Sequence, residues 1–63
     1  MLEMTQHEFR EAIERLEMSH GQAAGYLGVT HSAVWRWATG ARPVPGPVAK
    51  ALELALAALE DHR

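Results

Sequence analysis

Apolar residues recur at helical spacing in four stretches of the chain, and short polar or proline-bearing segments separate them. Phe9, Ala12, Ile13 and Leu16 fall at i, i+3, i+4 and i+7, which predicts a core-facing helix over 6–17. Thr5-Gln6-His7-Glu8 before it reads as a capping box. Its other side carries Arg10, Glu11, Glu14 and Arg15, a solvated face with i, i+4 pairs such as Glu11–Arg15. A second capping box, Ser19-His20-Gly21-Gln22, opens a helix over 20–27, with Ala23, Ala24 and Leu27 as its buried side. Gly28 supplies the left-handed stop. Gly25 in mid-helix costs up to ~1 kcal/mol relative to Ala, either to allow close packing or as a tolerated residue.

Thr30 caps a third helix over 31–39, which Gly40 ends. Its two sides differ. Val34 and Trp37 share a core phase, and Val34 packs with Leu27 as the hydrophobic wedge that fixes the angle between the second and third helices. Ser32, Trp35, Arg36 and Thr39 lie on the other side at i, i+3, i+4 and i+7, with His31 at the N-terminal edge. Ala24 marks the place where the two helices approach closely, so a larger side chain there is expected to hold them apart. The three prolines of 41–47 predict an ordered, extended connector. Gly46 and Pro47 then open a fourth helix over 47–60. Its expected core line is Val48, Leu52, Ala55 and Leu59, flanked by Ala51, Leu56 and Ala58, with Leu54 off the line.

These elements predict one all-α domain over 1–63, a four- to five-helix bundle. A chain of 63 residues buries only ~60% of its unfolded surface, so a small core alone leaves it marginal. With no cysteine there is no disulfide or thiolate staple, which makes a second copy the expected support. Leu54, Ala58 and Leu2 are the candidate dimer residues. No apolar run approaches the ~20 residues of a membrane span and no signal-peptide pattern is present, so the expected location is cytoplasmic.

Charge changes the picture through its distribution. The net charge is −2, but residues 1–17 sum to −3, residues 53–63 to −2, and residues 18–52, which contain no acid, to +3. An acid-free middle between acidic ends suits a protein that turns one face to a polyanion. The four histidines, at 7, 20, 31 and 62, show no i, i+4 pairing and have no cysteine beside them, so no metal or other cofactor is expected. No nucleophile, base or phosphate loop is spaced for catalysis. A chain of this size also leaves no expected room for a pocket of ~300 Å³, and an enzyme or small-molecule receptor is not expected.

The set Ala24, Leu27-Gly28-Val29-Thr30, Val34, Trp37 and Gly40, followed by Arg42 and the prolines, resembles the Cro/repressor type of helix-turn-helix regulator. Within it, the portion from Trp37 to Pro45 is similar to compact phage and mobile-element regulators, including antitoxin-type and anti-CRISPR-associated repressors. The resemblance covers residues 16–56. It implies a lambda-repressor-like fold that binds a palindromic double-stranded operator as a homodimer. Many members of that family place Gln first in helix two, whereas here the position is His20 and Gln22 follows two residues later.

Helical wheel and resemblance agree on the third helix as the reader. Arg36 is the leading base contact, because a guanidinium can bond both O6 and N7 of guanine. His31 and Ser32 reach base edges if the N-terminal end of that helix points into the groove. Trp35 has three readings: contact with a thymine methyl or sugar, cover for the connector near Val44, or a subunit interface. Phosphate contacts are expected from Ser19, His20, Gln22, Thr30, Thr39, Arg42 and Lys50. A reading of another class makes the chain a protein-interaction module or antitoxin, with DNA binding weak or absent.

Overall fold

The structure is a computed structural model and describes residues 4–61. It contains four α-helices: α1 (Gln6–Arg15), α2 (His20–Leu27), α3 (His31–Thr39) and α4 (Gly46–Asp61), and no strand among the described residues. Local chemistry accounts for their starts. The Thr5 hydroxyl accepts the Glu8 N–H at 3.1 Å while the Glu8 carboxylate accepts the Thr5 N–H at 2.9 Å. Ser19 and Gln22 repeat the exchange at 3.1 and 2.8 Å, and the Thr30 hydroxyl accepts the Ala33 N–H at 3.1 Å. Each cap satisfies amides that have no partner within the helix.

The ends are less uniform. Gly28 (φ 72°) and Gly40 (φ 83°) stop α2 and α3 in the left-handed conformation expected of them. α1 corrects the expected boundary, because it ends at Arg15 and not near Glu17. Glu17 itself takes the left-handed conformation, φ 58°. The Met18 N–H then reaches Ile13 O and the Glu17 N–H reaches Glu14 O, both at 2.9 Å. This is a Schellman closure without a glycine.

Phe9, Val34 and Leu52, from three different helices, are fully buried. Ala12, Ile13, Ala23, Ala24, Trp37 and Ala38 complete the cluster around them. The Trp37 ring meets Phe9 edge-on, with centroids 5.8 Å apart and planes at 81°, a favoured aromatic geometry. α4 departs from its expected core line. Ala49 and Leu52 are its buried residues, Val48, Ala55 and Leu56 are half-buried, and Leu59 is 42% exposed. One ion pair ties its far end to α1, from the Arg15 guanidinium to the Glu60 carboxylate at 2.8 Å. Both groups are about half exposed, so the pair contributes a few tenths of a kcal/mol. The radius of gyration, 10.8 Å, is close to the ~11 Å of a compact chain this long. No helix among the described residues is long and apolar enough to cross a membrane.

Candidate nucleic-acid interface

α3 presents two unlike sides because its sequence alternates them. Val34, Trp37 and Ala38 are buried, whereas His31, Ser32, Trp35, Arg36 and Thr39 are all exposed. At about 100° per residue, Trp35 and Trp37 stand roughly 200° apart on the helix, which explains how neighbouring indoles are 53% and 8% exposed. Trp37 thus belongs to the core and Trp35 to the surface.

α2 crosses next to α3 across the turn. Ala24 O accepts both the Gly28 N–H and, at 3.0 Å, the Val29 N–H, closing α2 just before Thr30 begins α3. Ala23 and Ala24 are the buried residues of α2, so it packs inward through small side chains. Gly25 is not part of that contact, since a Cβ built there meets nothing within 4 Å. Of its two readings, the tolerated residue is therefore the one that fits.

The packing brings together residues far apart in the chain. His20, the first residue of α2, and His31, the first of α3, have ring centroids 6.0 Å apart with planes inclined at 50°. Their separation of eleven residues is not a within-helix spacing, so periodicity alone does not pair them. Arg36 and Arg42 form a second grouping. With Ala33, Trp37, Pro43 and Pro45 they line an open groove of about 370 Å³. The Arg42 N–H donates to Arg36 O at 3.2 Å, folding the connector back against the end of α3. Another open groove, of about 330 Å³, lies along His7, Arg10, Glu11 and Glu14 of α1. Both hollows lie open on the surface, unlike a pocket that encloses a ligand.

Hydrogen bonding decides what each polar group still offers. Gln22 uses its carbonyl oxygen in the α2 cap, which leaves its side-chain NH₂ as a donor. The Ser19 and Thr30 hydroxyls accept cap bonds and retain their own protons. Thr39 differs, because its hydroxyl donates to Arg36 O at 3.4 Å, and in this conformation that proton is engaged. Ser19, Gln22, Thr30 and Arg42 are exposed and His20 is half-buried.

The remaining residues expected at a site lie on another helix or outside the described residues. Lys50, Leu54 and Ala58 are exposed on α4, and Leu2 falls outside the described residues, as does His62. Tyr26 was not expected at any site and is 59% exposed on α2. Its signal in the sequence was the outward set Gln22, Gly25 and Tyr26 at i, i+3 and i+4.

Electrostatically, α1 carries Glu8 in its first turn, whereas α2 and α3 have no acid in theirs. The partial positive charge of a helix N-terminus thus has a carboxylate beside it in α1 and none in the first turn of α2 or α3. Among the described residues, every Asp and Glu lies on α1, at Glu17 or on α4. No group of three or more metal-ligating side chains forms among the described residues. No family model, no curated protein and no solved structure matches the chain.

Proposed function

We propose that the chain is a sequence-specific DNA-binding regulator, a Cro-like helix-turn-helix repressor that occupies an inverted-repeat operator as a homodimer and occludes a promoter. One observation carries this reading. The exposed side of α3 is acid-free and holds His31, Ser32, Trp35 and Arg36, while its opposite side is fixed in the core by Val34 and Trp37. A helix held so can enter a major groove with its N-terminal residues leading. Arg36 then reads guanine through two hydrogen bonds, His31 and Ser32 meet base edges nearer the helix start, and Trp35 packs on a thymine methyl.

Phosphates meet the groups around that helix. The N-termini of α2 and α3, next to each other at His20 and His31, supply N–H groups and positive dipole ends with no acid in their first turns. Ser19 and Thr30 add hydroxyl protons, Gln22 its side-chain amide and Arg42 a full charge. With about four phosphates neutralised per protomer, a dimer has a salt slope near −7.

Selection of bound sequences from random DNA is expected to return half-sites about 10 bp apart. On the selected operator, Arg36→Ala is expected to lower discrimination against random DNA by about 10- to 100-fold with helical content unchanged. Equal loss on both DNAs reassigns Arg36 to the backbone. No DNA binding at physiological salt overturns the reading in favour of a protein-interaction module.

A further inference from the structure

α4 also has two unlike sides, and only one is in use. Leu52 is buried against the core. Lys50, Leu54, Ala57 and Asp61 lie on the opposite side of the helix, and all four are exposed. Their spacing of four, three and four residues is that of a seam between two helices. Leu54, 60% exposed, is the large apolar residue at its middle, with Ala57 one turn on. The seam has opposite charges at its ends, Lys50 in the first turns and Asp61 in the last. Glu60 beside it is already held by Arg15 and Glu53 flanks it next to Ala57, so Asp61 is the acid on the stripe itself.

We propose that this stripe is a self-association surface on which α4 of a second copy lies antiparallel, with Lys50 against the partner's Asp61 and Leu54 against the partner's Ala57. A two-fold axis passing between Ala55 and Leu56 makes both exchanges at once: 50 with 61, and 54 with 57. Charge selects this direction, because a parallel pair sets Lys50 against Lys50 and Asp61 against Asp61. Antiparallel packing also places the helix dipoles head to tail. The small Ala57 leaves space for the facing leucine, and Ala58 flanks the seam.

The stripe is about 16 Å long, which makes an interface below the ~1,200 Å² of stable complexes. Association is therefore weak, in the micromolar range or above. Lys50 moves in this arrangement from a phosphate to a partner helix. The inference rests on the proposed function only in taking two copies to act together, and it is tested without DNA.

Sedimentation of the whole chain across a micromolar-to-millimolar series is expected to show a monomer–dimer equilibrium. Leu54→Glu should shift it to monomer with the circular dichroism spectrum unchanged. Lys50→Glu and Asp61→Lys should each weaken the dimer roughly fivefold, and the double variant should restore it. A chain that stays monomeric throughout the series overturns the proposal, as does a Leu54→Glu variant that still dimerises. Failure of the double reversal to restore association overturns the antiparallel register. Dimerisation without DNA binding supports the inference and overturns the functional reading alone.

Discussion

α2 and α3 together and α4 alone are attached to the same core by different means. The α2–α3 unit is fixed at both ends of its turn: Gly28 and Ala24 O close one helix, and the Thr30 hydroxyl opens the next. Ala23 and Ala24 of α2 and Val34 and Trp37 of α3 are buried in the same core cluster. α4 is longer, 16 residues, yet only Ala49 and Leu52 are buried, and an exposed ion pair fastens its far end. The first arrangement removes freedom from a polar surface. The second leaves an apolar helix with a side to spare. Stability and presentation are thus divided between regions of a very small chain.

Substitutions in each region sharpen that division. Leu52→Ala removes the deepest anchor of α4 and should destabilise by about 2–5 kcal/mol. A domain of this length has about 3–9 kcal/mol in total, so thermal denaturation followed by circular dichroism should show most of the cooperative transition lost. If α2 and α3 keep a cooperative transition without α4, the two regions are separable folding units. Ala24→Leu acts on the other side. It should cost about 1–3 kcal/mol by urea denaturation and push α2 away from α3. Unchanged stability there would show that α2 does not need a small residue at this position. Gly25→Ala is the smallest change and has the opposite sign. Its Cβ meets open space, so the variant should gain up to ~1 kcal/mol, read as a midpoint several degrees higher. The same substitution at Gly40 has no such prospect, because the backbone is left-handed there, and its Cβ would also displace the end of the Gln6 side chain.

The contrast also marks what the sequence made legible. Helix starts were readable because a cap is a local exchange over three residues, as in Thr5–Glu8, Ser19–Gln22 and Thr30–Ala33. The glycine stops were readable for the same reason. The end of α1 was not, because a glutamate takes a conformation for which glycine is the usual signal. Leu59 of α4 kept the phase of its core line, but the line runs past the packed interior and leaves it exposed. Ala49 was missed because an alanine carries little weight in a hydrophobic pattern, although it suits close approach to the core. The wheel of α3 separated its exposed and buried sides correctly. The meeting of His20 with His31, and of Arg36 with Arg42, depended on the turn and the connector, which periodicity within one helix does not describe.

The opposite settings of the two tryptophans have an optical consequence. An indole packed edge-on against Phe9 emits from an apolar interior, whereas the one two residues before it emits from water. Unfolding therefore changes mainly the Trp37 signal, and anything that covers the outer side of α3 changes mainly that of Trp35. A Trp35→Phe variant retains the reporter of folding, and its difference from the parent chain isolates the reporter of contact. One helix thus carries separate gauges for its own integrity and for its occupancy.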